Sequence, residues 1–309
     1  MPELLFQREE YGKTLAELGK TNKDIVVLDA DLSGSTKTSI FAKVFPERFF
    51  NFGVAEQNMM ATAAGIASCG KTVFLSTFAI FASGRAWDQL RNSVCYNNFD
   101  VKVVATHAGV SVGPDGASHQ ALEDVALTRV IPNINIIIPC DGPQAREAVT
   151  VAANTKGPFY IRLGRPKVPT LEGKGDFVFG KAQVLKPGDD VAIIACGIMV
   201  LEALNAAQIL AAQGIQARVI NMHTIRPLDN ETIIKAAHET KGLIVAEEHS
   251  VIGGLASAVE YVVAEQCPKR VISIGVKGRY GQSGEPAELL KEYHLTADDI
   301  VKAARTILG

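Results

Sequence analysis

Short apolar runs alternate with longer amphipathic stretches along nearly the whole chain, a rhythm that predicts repeated strand and helix units. In the first half the apolar runs at 25–31, 49–52, 72–78, 101–107, 134–138 and 159–163 read as strands. The segments 8–20, 53–70, 83–96, 120–130 and 142–154 between them have helical spacing. Such alternation implies a mostly parallel sheet. From 164 to 190 the text changes to Pro, Gly, Lys and isolated β-prone pairs, which marks a linker. The rhythm then resumes, with strands at 191–196, 217–222, 243–247 and 271–276, helices at 200–213, 230–239 and 255–265, and at least one more helix near the end. The pattern predicts two three-layer α/β domains with mostly parallel sheets, at 1–165 and 191–309, joined by a linker at 166–190.

Composition narrows the class without changing this picture. A length of 309 residues suits two domains of about 150 each. With 47% hydrophobic and 21% charged residues, the chain has ordinary globular composition, which argues against disorder and against a membrane protein. The first residues carry acids early and lack a basic region followed by an apolar one, so the expected location is cytoplasmic. A net charge of -2, with no basic run interleaved with aromatics, gives no reason to bind nucleic acid. The five cysteines are odd in number, widely spaced and without a Cys-x-x-Cys pair, so neither a disulfide framework nor a structural zinc site is expected. His223, His238, His249 and His294 have no metal-ligand spacing, and no metal ligand is assigned to this chain.

Three stretches carry candidate chemistry. The first, from Gly53 to Gly70, places Glu56 near a helix start. Small residues at Ala63, Ala64, Gly65 and Ala67 predict a deeply buried helix, in which a carboxylate needs a partner. Gly53-x-x-Glu56 also has the spacing of a capping box, with Glu56 third in the helix, which would make its role structural. The second stretch is the strand at 25–31, whose C-terminal end bears Asp29 and Asp31 and leads into the polar Ser33-Gly34-Ser35-Thr36 loop. Parallel sheets place ligands at that end. In the third, glycines at 109, 113 and 116 let a loop bend so that His107, Asp115 and His119 converge. A Cys196-Gly197 turn follows the first strand of the second domain, but Gly-x-Gly-x-x-Gly is absent there, which argues against a nucleotide site.

The wording of these stretches resembles the transketolase family. The motifs are Phe52-Gly53-Val54-Ala55-Glu56-Gln57-Asn58-Met59, Ser76-Thr77-Phe78 with Phe81, and Asp115-Gly116-Ala117-Ser118-His119-Gln120; Glu247-Glu248-His249-Ser250-Val251-Ile252-Gly253-Gly254 is also family-like. The whole chain looks like the C-terminal half of such an enzyme, with the pyrimidine-binding domain first and the family's C-terminal domain after it. The resemblance implies thiamine diphosphate as cofactor. Glu56 would bond N1′ of the aminopyrimidine and favour the imino form that deprotonates the thiazolium carbon, with Phe81 stacking on the ring, Phe78 lining its pocket and Asp31 nearby. It further implies that Ser35, His107 and Arg162 hold phosphate, that Asp115 meets a substrate hydroxyl, and that His119 lies near the reacting hydroxyls as a catalytic group.

What is missing from the family's plan is equally informative. The Gly-Asp-Gly motif and later Asn that hold magnesium and the diphosphate in single-chain members have no counterpart here, and Gly113-Pro114-Asp115-Gly116 is no substitute. The resemblance therefore implies a split transketolase of the pentose phosphate pathway, moving a two-carbon ketol unit from a ketose phosphate to an aldose phosphate. An N-terminal partner subunit would supply the Mg2+ ligands, and self-association through the Glu56 helix would give a heterotetramer. Gly84 stands where single-chain members usually have an aromatic, and Pro114 and Ala117 differ in the Asp-Gly loop. The rival readings are a beta subunit of a 2-oxoacid dehydrogenase, a deoxyxylulose phosphate synthase-like enzyme, and a non-catalytic dimerising scaffold.

Overall fold

The computed structural model describes residues 2–173 and 175–309. Its larger sheet has seven strands in the order Thr224–Arg226, Asn135–Ile137, Phe159–Arg162, Val101–Thr106, Thr72–Phe78, Ile25–Asp29 and Phe49–Asn51. Every neighbouring pair is parallel except at the Thr224–Arg226 edge. The second sheet runs Val271–Val276, Leu243–Ser250, Val191–Ala195, Ala217–Asn221 and Gln183–Lys186, with only the last strand antiparallel. Helices cover the faces, so inner strands such as Thr72–Phe78 and Val101–Thr106 are buried along their whole length. That burial is why they read as unbroken apolar runs. Two α/β domains with mostly parallel sheets are what the sequence rhythm predicted.

Register decides where chemistry gathers. Asp29 pairs with Ser76, Phe78 with Thr106, and Ala105 with Arg162, so these strands end together. Asp31, Phe78 and His107 consequently emerge at one edge, the ligand-bearing edge of a parallel sheet.

Several local expectations need correction. The Glu56 helix spans Glu56–Ser68, so Glu56 is its first residue rather than its third, and no side chain caps it. The capping box does not form, because the carboxylate turns away to Arg85. Only one face of this helix is buried, through Met59, Met60, Ala63, Ala64 and Ala67, while Ala61 and Gly65 are exposed. Residues 33–36 form a helical turn instead of a loop, since the Asp29 carboxylate accepts from Leu32 N, Thr36 Oγ1 and Thr38 Oγ1 and folds the segment over itself. The helix expected at 83–96 breaks into Ala79–Gly84, Trp87–Gln89 and a π-helical turn at Leu90–Cys95.

The stretch read as linker is not bare connection. Lys167–Pro169 pairs with Leu4–Phe6, and Gln183–Lys186 extends the second sheet. In the other direction, Thr224–Arg226 leaves the second half of the chain to edge the first sheet. One core cluster continues across the junction, from Met60 and Leu75 to Ile194, Met222 and Leu255. Contact between the domains is therefore apolar and continuous, which fixes their relative position.

Candidate active site

The helix that starts at Glu56 holds this carboxylate where only 5% of the residue meets solvent. A buried carboxylate needs a donor, and Arg85 supplies one: its Nη1 lies 2.8 Å from Glu56 Oε1. The backbone of Arg85 is tied down by Gln57 Nε2, which donates to its carbonyl at 3.0 Å. The guanidinium lies over an aromatic neighbour, with Cζ 4.1 Å from the centre of the Phe81 ring. An open cleft of about 380 Å³ adjoins these groups, lined by Val54, Gln57, Asn58 and Arg85 beside Glu56.

Phe81 begins a continuous set of rings. It stacks with Phe78 at 6.0 Å and 15°, and Phe78 stacks in turn on His107 at 3.9 Å and 21°. His119 closes the set edge-on, 5.4 Å from Phe81 and 6.2 Å from Phe78. Thus Phe78, Phe81, His107 and His119 form one ring cluster, which Arg85 links to Glu56, although these residues come from three strand-end segments.

His107 sits at the end of its strand in a left-handed backbone conformation, φ 58°, with Nδ1 2.9 Å from Thr106 Oγ1. Burial, followed by the charges of Arg8 and Arg165, pushes its pKa down to about 3, so near neutral pH the imidazole is uncharged. His119 is half-buried and pairs through Nδ1 with Ser118 Oγ at 2.9 Å. Asp115 stands exposed on the outer turn of the same loop, away from the ring cluster's buried floor. Asp31, also left-handed at φ 65°, exchanges hydrogen bonds with the Asn51 side chain.

Arg162, expected to hold phosphate, is buried, and its guanidinium is engaged by protein acceptors. Its Nε donates to Asp124 Oδ2 at 2.8 Å, and Nη2 donates to the carbonyls of Ala121 and Glu248. Burial, the largest influence, raises the carboxyl of Asp124, but the Arg162 guanidinium, His249 and the hydrogen bonds from Arg162 and Tyr160 together hold the group below its ordinary range. Arg162 is thus a buried structural cation.

Two arginines that the sequence reading passed over stand where Arg162 was expected. Arg8 Nη1 donates to the Ser35 carbonyl at 2.8 Å, and Arg165 Nη1 donates to the Val112 carbonyl at 2.6 Å. Both act on His107 electrostatically, and burial together with the charge of Arg165 lowers the pKa of Arg8. Among the described residues neither arginine has a carboxylate at ion-pair distance. The two guanidiniums thus leave uncompensated positive charge near His107. A signal for Arg8 existed in the sequence: a cation in the first turn of a helix runs against the helix dipole, so it needs another reason to be there.

Residues 7–170 match the pyrimidine binding domain of transketolase, and residues 180–300 match the transketolase C-terminal domain. The chain is 49% identical over 299 residues to the putative transketolase C-terminal section of Methanocaldococcus jannaschii, covering 96% of this chain and 94% of that one. It is 40% identical over 301 residues to the 6-deoxy-6-sulfo-D-fructose transketolase subunit of Clostridium sp., covering 97% and 94%. Among solved structures, a split gene transketolase, described as an inactive beta4 tetramer, is similar with a TM-score of 0.89 and 51% identity over 98% of each chain.

Proposed function

Because the chain belongs to the transketolase family through both of its domains, we propose that it is the C-terminal subunit of a two-chain transketolase moving a two-carbon ketol unit between phosphorylated sugars. The observation that carries this reading is the ring cluster of Phe81, Phe78, His119 and His107, joined to Glu56 through Arg85. The residues fit the aminopyrimidine half of thiamine diphosphate. A planar donor group, the Arg85 guanidinium, already sits between the Glu56 carboxylate and the Phe81 face, which is the geometry a flat heteroaromatic ring needs. When bound, the cofactor supplies the acidic thiazolium carbon that carries the two-carbon unit.

This chain's residues prepare that chemistry in three ways. Glu56, shielded from water and fixed at a helix start, accepts a proton-bearing ring nitrogen and holds the ring's tautomer. Phe78 and Phe81 provide the stacking face and exclude water. Half-buried His119 offers an imidazole to substrate hydroxyls, with the exposed Asp115 on the same loop, while neutral His107 stays with the phosphate end. The phosphate end of the sugar is assigned to Arg8 and Arg165 with Ser35, since guanidinium forks suit phosphate oxygens. Asp31 keeps its place at the cofactor side of the same edge.

Magnesium and the diphosphate are assigned to an N-terminal partner subunit, because this chain carries no Gly-Asp-Gly motif. The names of the relatives, a C-terminal section and a subunit, support a divided enzyme, as does the inactivity attributed to the beta4 neighbour. The exposed face of the Glu56 helix, at Ala61 and Gly65, supports pairing of two copies and hence a heterotetramer. No helix among the described residues is long and apolar enough to cross a membrane. The test is to combine the chain with its N-terminal partner, thiamine diphosphate and magnesium, and to assay two-carbon transfer against pyruvate decarboxylation. Transfer is expected. Decarboxylation alone would move the chain to the 2-oxoacid dehydrogenases.

A further inference from the structure

The loop that bears His119 and follows His107 is moulded by the second domain. Glu248, buried near the end of the strand Leu243–Ser250, reaches across the junction, and Ser111 N donates to its Oε1 at 2.5 Å. The loop backbone has been shaped to admit this side chain: Gly109 has φ +82°, and a Cβ there would collide with the Glu248 carboxylate. Further along, Gln120 Nε2 donates to the carbonyls of Val110, Gly113 and Gln282, so it ties both ends of the turn to the second domain. Gly116 packs against Ser283, and Gly113 against Gly284 and Pro286.

We propose that Glu248 is a positioning residue for substrate, acting through the Gly109–Gly113 turn to fix the directions of His107 and His119. The inference rests on the transketolase reading for its activity arm alone. A carboxylate is suited to this task because one oxygen can take a charge-assisted bond from a backbone N–H. The group is buried, and the charges facing it are Arg162 and Asp124 from the first domain, with the Cys196 thiol also near; Glu247 and His249, next to it on its own strand, point to the opposite face. Arg162, whose Nη2 donates to the Glu248 carbonyl, holds the strand that presents the carboxylate. Glu56 and Phe81 stand on other elements, the helices Glu56–Ser68 and Ala79–Gly84. Loosening the turn therefore acts first on the histidines and reaches the cofactor face only through their contacts with Phe78 and Phe81.

The experiment compares Glu248→Ala with Glu248→Gln, which keeps an acceptor of the same reach. On the purified full chain, amide exchange of residues 109–113 is expected to quicken at least tenfold in the alanine variant and to return to within threefold of wild type in the glutamine variant. In the complex with the N-terminal partner, Glu248→Ala is expected to lower kcat/KM for a phosphorylated ketose at least tenfold while the Kd for thiamine diphosphate stays within twofold. Unchanged exchange in the turn, or cofactor affinity falling in parallel with turnover, overturns the proposal. If wild-type complex transfers no ketol group, the functional reading fails, and the exchange measurement still decides the loop. Should Glu248→Ala not fold, Ser111→Pro removes the donated N–H while leaving Glu248 in place, and wild-type exchange at its neighbours would equally overturn the proposal.

Discussion

Arg85 and Glu56 are joined at 2.8 Å, with the Arg85 guanidinium resting 4.1 Å over Phe81, so an arginine of this chain fills the gap between the carboxylate and the aromatic face. A flat ring cannot enter that gap until the guanidinium leaves. The arginine side chain is 49% exposed, so leaving is easy and the pair is worth about 1 kcal/mol at most. In the assembled enzyme Arg85→Ala is expected to lower the Kd for thiamine diphosphate by about three- to fivefold, which matches the loss of a competitor of that strength. Weaker binding in a titration calorimeter would show instead that the guanidinium helps to grip the cofactor.

Glu56 itself contributes little to folding, since its ion pair is half-exposed and it caps nothing. Glu56→Ala should fold with a melting temperature near that of wild type. Ketol transfer by the complex should fall by about 100-fold or more, the scale of a lost acid–base partner. Wild-type turnover in the folded variant would remove Glu56 from the chemistry.

The arginines divide into two kinds that separate experiments can distinguish. Arg162→Ala strips Asp124 of its buried cation and is expected to destabilise the fold by about 3–5 kcal/mol. Arg165→Ala leaves that network intact, and it should raise KM for phosphorylated sugars at least tenfold while sparing unphosphorylated ones. Denaturant melts and paired kinetics check both. An equal KM effect on the two sugar classes would take Arg165 out of the phosphate pocket.

The contrast between these arginines shows what the sequence could convey. The apolar rhythm placed Phe78 and His107 at strand ends because parallel strands are buried on both faces, and strand ends fix which residues share an edge. Position along a strand did not reveal facing. Arg162 is the last residue of Phe159–Arg162 and points inward, whereas Arg165, three residues on, has left the sheet. Long-range partners were equally hidden: nothing local to Glu248 announces Ser111, which is 137 positions away. The helix break near Leu90 and the exchange of strands between the halves likewise depend on tertiary packing, which overrides local propensity.

Glu248 also predicts a pH effect on stability. Burial raises its carboxyl to about 7, against the opposing pull of Arg162 and Ser111 N–H, while in the unfolded chain it titrates near the ordinary 4.5. A raised carboxyl favours the folded state while protonated. Its contribution is therefore fully present below about 4.5 and is lost as pH rises through about 7. Glu248→Gln, which cannot ionise, should melt at a higher temperature than wild type at pH 8, and the difference should shrink toward pH 5. Parallel melting curves for the two proteins across that range would show that the carboxyl titrates normally in the fold.

The last prediction concerns the chain without its partner. Its half of the cofactor site offers Glu56, the rings of Phe78 and Phe81, and a cleft that opens to solvent. Those groups grip only an aminopyrimidine. The diphosphate would have to stay in water or be buried without a compensating metal, and burying such charge unpaired costs several kcal/mol per ion. Arg85 adds a small further cost, because it must be displaced. Calorimetry on the purified chain should accordingly register thiamine diphosphate weakly or not at all, with no dependence on magnesium. Addition of the N-terminal partner should tighten binding by at least 100-fold and make it magnesium-dependent. Tight, magnesium-dependent binding by the chain alone would mean that it encodes the diphosphate site itself, and the two-chain reading would have to be given up.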